Sequence, residues 1–291
     1  MKRFEDHNPI AVFLYFAGVT VPVMFCRDWL LPLLCAAGVM LYGFSSEGPA
    51  AGNKLWLIPA AAALLAVINP IFNHNGMTAV LLVNDMPVTL EAAAYGAATG
   101  LMLGAVFAWF RYFSEVMTSD RILYVFGAVS PKLALILSMT LRYIPLYSRQ
   151  AGIVRRAARA SGAGRDETVL DHVRTGLRVF SVLVTWGLEN GLVTADSMVA
   201  RGYGGARRTR YAIYSWRKRD YLLLAAVLIL TGAAVTAVAA DWVGMDFYPY
   251  IAVREMTPLT AAAYTLYAIL AALPAAVNLA ERVSWHRRIG S

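Results

Sequence analysis

Six apolar runs bound what this chain can fold into: Ile10 to Cys26, Trp29 to Phe44, Leu55 to Phe72, Val88 to Phe110, Tyr221 to Ala240 and Thr257 to Ala280. Glu91 is the only charged residue inside any of them. A helix crosses the hydrocarbon of a bilayer in roughly 20 residues, within a range of about 17–25, and most of these runs reach that length. The second is short, and Pro22, Pro32 and Pro59 interrupt the first three. Spanning helices tolerate proline because neighbouring groups satisfy the freed carbonyls. Charged residues make up 15% of the 291 residues. Soluble domains carry about 25%, so a mainly aqueous surface is excluded. The expected fold is an all-α integral membrane protein with about six spans.

The charge that remains is gathered in one place. The stretch from Arg111 to Arg219 holds 18 of the 26 Lys and Arg and only 7 of the 18 Asp and Glu, a net +11. Cations favour the cytoplasmic side of a membrane, and three features agree on which side that is. Lys2 and Arg3 precede the first run, the basic stretch lies between the fourth and fifth, and Arg282, Arg287 and Arg288 follow the sixth. The opposite side receives only Arg27 and Arg254. Both termini are therefore expected in the cytoplasm. No small-residue cleavage pattern ends the first run, so a signal peptide is not expected.

The organisation reads as a four-span domain over 1–113, a cytoplasmic helical domain over 114–219, and a final pair of spans with a basic tail over 220–291. The segment from Asn73 to Pro87 includes the apolar run Met77 to Val83, too short to cross; a re-entrant piece, an interfacial helix and a strand-like loop all remain open. Asp85 and Glu91 are expected at the outer interface rather than deep in the membrane. Gly96, Gly100 and Gly104 recur at intervals of four, which suits close helix approach or simply the general frequency of Gly in spanning helices.

The cytoplasmic stretch divides into three helical pieces. A short one near Asp120 to Val129 is capped by Ser119 or Asp120. A second opens at Pro131, is kinked by Pro145, and runs toward Ala160, where Gly162 and Gly164 stop it. A third begins after Asp166 and Glu167, carries Leu170, Val173, Leu177, Phe180, Leu183, Val184 and Leu188 at helical spacing, and ends at Gly202, with Gly204 and Gly205 beyond. Two long helices thus finish in small-residue, glycine-terminated, arginine-bearing tips. One reading is ordinary capping plus attraction to anionic lipid. The other is docking, in which a guanidinium at a rigid helix end grips a partner's carboxylate.

Catalytic chemistry has no visible seat. The phosphate-binding loop pattern Gly-x-x-x-x-Gly-Lys-Ser/Thr is missing, so the chain is not expected to hydrolyse ATP. His7, His74, His172 and His286 are scattered, no metal-ligand spacing occurs, and Cys26 and Cys35 read as apolar packing. No catalytic, cofactor or metal site is expected.

The run Ala195-Asp196-Ser197-Met198-Val199-Ala200-Arg201-Gly202-Tyr203 resembles the second Ala-Arg-Gly signature of the transmembrane T component of energy-coupling factor (ECF) transporters. Met139 to Leu146 is similar to the run leading into the first signature. The resemblance covers about the first 220 residues and implies a scaffold, not an enzyme. Its implied partners are two cytosolic ABC-type ATPases, which bind the ATP and Mg, and a membrane-embedded S component that binds a vitamin or metal ion; membrane lipids surround it, and no nucleic acid is implied. Ala200, Arg201 and Gly202 match the second docking signature. Ala160, Ser161 and Gly162 fall where the first is expected, with Arg159 as a substitute for the missing arginine, and Leu177, Phe180 and Val184 form the apolar face expected beneath the S component. The alternative is a basic membrane protein that binds anionic lipid or a regulatory partner without ATPase coupling.

Overall fold

A computed structural model describes residues 4–73, 75–83, 86–162, 169–204, 214–245, 247–248 and 256–289. Gly164, Asp166, Glu167, Gly205, His74, Asp85 and Arg254 lie outside the described residues. The chain forms two compact units, one from Met1–Ile122 with Tyr214–Ser291, the other from Leu123–Ile213.

The first unit is built from α1 (Pro9–Phe25), α2 (Leu30–Glu47), a one-turn α3 (Gly52–Leu55), α4 (Leu57–Phe72), α5 (Leu90–Val116), α9 (Lys218–Ala239) and α10 (Pro258–Ile289). Among the described residues, five stretches are long and apolar enough to cross a membrane, and α1, at 17 residues, is a shorter apolar helix. The protein is an all-α, multi-pass membrane protein. Among the described residues there is also one two-stranded antiparallel sheet, β1 (Ala79–Val83) and β2 (Met86–Thr89). It resolves part of the open Asn73 to Pro87 stretch as strand, and it explains why α5 begins at Leu90 rather than at Val88. At that junction Glu91 is buried, its carboxylate accepting hydrogen bonds from the amide and hydroxyl of Thr78.

Helices in lipid gain little from apolar contact alone, so close packing and aromatic shape decide which faces meet. Gly96, Gly100 and Gly104 turn toward α4, where a β-carbon at any of them would collide with the backbone of Leu65, Ala61 or Ile58. The small-residue stripe is therefore spent within the chain. Behind it, Trp109 of α5 stacks on Tyr42 of α2 at 5.9 Å and meets Tyr15 of α1 edge-on at 5.8 Å. Tyr267 of α10 donates its hydroxyl to the carbonyl of Val19 at 2.9 Å, which satisfies both groups inside the bundle.

The second unit contains most of α6 (Ser119–Val129), together with α7 (Pro131–Ala160) and α8 (Val169–Ala200). Ser119 is the first residue of α6 and Thr118 precedes it, its carbonyl accepting from Ile122 N. The expected cap at Ser119 or Asp120 is therefore one or two residues late. Pro131 opens α7, and the helix continues through Pro145 to Ala160.

Candidate docking surface on two helix ends

The second unit buries strikingly little of its apolar surface. No residue of α7 is buried, and among the described residues of α8 only Val179 is. Leu177, Phe180 and Val184 are 62%, 64% and 42% exposed, and Leu170, Val173 and Leu188 extend the same stripe. Their spacing of three and four residues follows the helical repeat, so one face of α8 is apolar and exposed among the described residues. An uncovered apolar stripe of this length marks a surface made for a partner or for lipid.

What holds the two helices together is a narrow crossing. Tyr147 packs edge-on against Trp186 at 5.3 Å, and the Tyr143 and Thr194 hydroxyls are 3.1 Å apart. Moving forward along α7 corresponds to moving backward along α8, so the helices pair antiparallel. Gly187 makes the approach possible, because any β-carbon there would collide with the Tyr147 hydroxyl. Sequence reasoning missed this crossing. The available signal was a glycine inside a helical pattern, which often marks close backbone approach.

Beyond the crossing each helix continues to its tip. At the end of α8, Gly202 adopts φ 74°. Its amide donates to Val199 O at 2.9 Å, and the Tyr203 amide donates to Met198 O at 3.0 Å. This pair of bonds is the Schellman arrangement, which satisfies the last carbonyls and needs a left-handed residue after the cap. Arg201 is therefore the cap residue of a closed helix end. It is exposed, and among the described residues it forms no ion pair.

The end of α7 has the same backbone design. Gly162 adopts φ 75°, and its amide donates to Arg159 O at 3.2 Å. Ser161 is the cap residue, so its place corresponds to that of Arg201. Its hydroxyl donates back to Ala158 O at 3.0 Å. Arg159 is exposed but lies two residues earlier, about 200° around a helix of 3.6 residues per turn. A guanidinium at Arg159 thus leaves its helix on nearly the opposite side from a side chain at the cap. Ala160 and Ala200 are the last helical residues before the two caps. The two tips share a left-handed glycine after the cap and differ in the charge of the cap residue itself.

The candidate residues accordingly form two separate groups: Arg159, Ala160, Ser161 and Gly162 at one tip, and Ala200, Arg201 and Gly202 at the other. Among the described residues no cluster of His, Cys, Asp and Glu is arranged to hold a metal.

No family model matches the chain. Among curated proteins it is similar to the energy-coupling factor transporter transmembrane protein EcfT of Lactococcus lactis subsp. cremoris, 25% identical over 79% of this chain and 91% of that protein. The corresponding protein EcfT 1 of Listeria monocytogenes is 26% identical over 76% of this chain and 87% of its own length. EcfT of Bacillus selenitireducens is 33% identical over a shorter stretch, 36% of this chain and 40% of that protein.

Proposed function

We propose, from its similarity to energy-coupling factor transporter transmembrane proteins, that the chain is a T component of such a transporter and couples two cytosolic ABC-type ATPases to a membrane-embedded substrate-binding S component. The observation that carries this reading is the closed end of α8, which presents the exposed Arg201 at a rigid cap with Ala200 and Gly202 beside it. A guanidinium offers a planar fork that pairs with a carboxylate through two parallel hydrogen bonds, and small flanking residues let a groove close around it. Each helix extends past the crossing to its cap, so a load at a tip moves a long stiff arm.

In the proposed cycle the ATPases, which bind the ATP and Mg, close on nucleotide and draw the tips they hold. The apolar face at Leu177, Phe180 and Val184 passes this movement to the S component, which reorients and releases a vitamin or metal ion inward. Nucleotide can shift the assembly only if the tips are gripped differently in its two states. This reading puts both termini and the second unit on the cytoplasmic side, and the distribution of cations supports it.

The test is co-purification with the two ATPase subunits, comparing wild type with Arg201→Glu. Breaking a hydrogen-bonded charge pair costs about 2–5 kcal/mol, so association should fall by about 30-fold or more while membrane insertion is unchanged. Equal recovery of ATPases by the variant removes Arg201 as the anchor. Ser161→Arg places a guanidinium at the matching cap and should preserve or strengthen association. A marked loss there would show that the α7 tip does not occupy an equivalent groove.

A further inference from the structure

A second recognition site lies in the first unit, at the turn between α1 and α2. That turn comprises Cys26 to Trp29 and joins two apolar helices, so its residues fall at the level of the lipid headgroups. Here the fold leaves a cavity of about 300 Å3, walled by Cys26, Arg27, Asp28, Tyr95, Thr99 and Phe247. The wall is fixed by contacts from distant parts of the chain. Met245 N donates to Arg27 O at 2.9 Å, and Phe247 meets Tyr95 edge-on at 5.4 Å.

The cavity is polar at one side and open to apolar surface at the other. Asp28 is only 5% exposed, and its carboxylate accepts from the Trp29 amide at 2.8 Å and the Tyr264 hydroxyl at 2.5 Å. Both donors are neutral, and each carboxylate oxygen has a further lone pair to offer. Arg27, next to it, is exposed and carries the positive charge. Met24 and Phe25 line the same cavity and are 54% and 76% exposed on the outside of α1. The site therefore sets an anion-binding and a cation-binding group side by side above a surface suited to acyl chains.

We propose that this cavity binds the headgroup of a zwitterionic phospholipid bearing a primary ammonium. The phosphate lies on the Arg27 guanidinium, the ammonium donates to Asp28, and the acyl chains run along Met24 and Phe25. A primary ammonium is favoured over a quaternary one because it can give hydrogen bonds to the buried carboxylate, and charge-assisted bonds are the strong ones. A headgroup with no cation leaves Asp28 uncompensated. The site is independent of ATPase docking.

The test uses the full chain in detergent, titrated with phosphatidylethanolamine, phosphatidylcholine or phosphatidylglycerol of identical acyl chains, with bound lipid read by native mass spectrometry. The wild type should retain phosphatidylethanolamine at least about fivefold better than either other lipid. Asp28→Asn should abolish that preference, and Arg27→Ala should weaken the ethanolamine and choline lipids alike. Thr99→Leu fills the cavity from the α5 wall and leaves the Asp28 carboxylate in place, so it should lower ethanolamine-lipid retention even if Asp28→Asn proves unstable. Equal retention of the three lipids by wild type overturns the proposal. So does a preference that survives Asp28→Asn, or ethanolamine-lipid retention that Thr99→Leu leaves unchanged.

Discussion

The Tyr147 hydroxyl on α7 occupies the space that a β-carbon on Gly187 of α8 would need. Ser161 lies fourteen residues beyond Tyr147, and Arg201 fourteen beyond Gly187. At 1.5 Å per residue each tip stands about 21 Å from the crossing. Two arms of equal length, meeting at one tight contact, are a geometry in which a displaced tip is felt at the pivot.

Gly187→Leu should force the crossing apart while leaving the first unit folded. Overpacking of this kind costs about 1–3 kcal/mol, and here it falls where Tyr147 and Trp186 pack the two long helices together. A short bis-maleimide should link Tyr143→Cys to Thr194→Cys in the otherwise wild-type chain, since their native hydroxyls are 3.1 Å apart. Linkage should drop several-fold when Gly187→Leu is added; undiminished linkage would show that the glycine is not what permits the approach.

Gly202→Val should weaken the α8 tip without altering its charge. A β-branched residue at φ 74° is strained, at a cost on the order of 1–3 kcal/mol. The amides of Gly202 and Tyr203, held by the terminal bonds of the helix, should lose hydrogen-exchange protection, and ATPase recovery should fall with them. Protection equal to wild type would mean that the cap tolerates the side chain.

Gly100→Leu places four carbons against the backbone of Ala61 and Ala62, where even a β-carbon does not fit. The α4–α5 pair should separate, lowering stability by about 2 kcal/mol or more. Thermal unfolding in detergent should show a fall of several degrees. An unchanged midpoint would place the packing of that pair elsewhere.

Cys26 should resist alkylation in the folded protein. Burial pushes its thiol up to about 12, with the negative charges of Asp28 and Asp241 adding to the effect. Each opposes the thiolate, so reactivity rises with pH and is lowest in acid. At pH 8 the reactive thiolate is on the order of 10⁻⁴ of the total. Maleimide labelling should be negligible at pH 7–8 and complete after denaturation; fast native labelling would show an open, hydrated wall.

Much of this protein was legible residue by residue. The hydropathic runs found all six apolar helices, because the length and greasiness of a span are local properties. The glycines at 162 and 202 marked both helix ends for a similar reason, since a left-handed cap strongly favours glycine. The segment at 79–89 stayed ambiguous because a short apolar run is equally compatible with helix and strand until its pairing is known. The expected substitution of Arg159 for a missing cap arginine meets a geometric obstacle that composition does not reveal: two residues along a helix is half a turn.

The amino-acid order alone therefore determined where the chain enters the membrane, where its charge gathers and where its long helices stop, because these depend on neighbours in sequence. Tertiary structure decided that the Gly96, Gly100 and Gly104 stripe is used internally, that Tyr147 and Gly187 form the crossing, and that Arg27 and Asp28 share a cavity with Phe247. Each of those joins residues far apart in the chain. Their meeting depends on how whole helices pack, which no local pattern encodes.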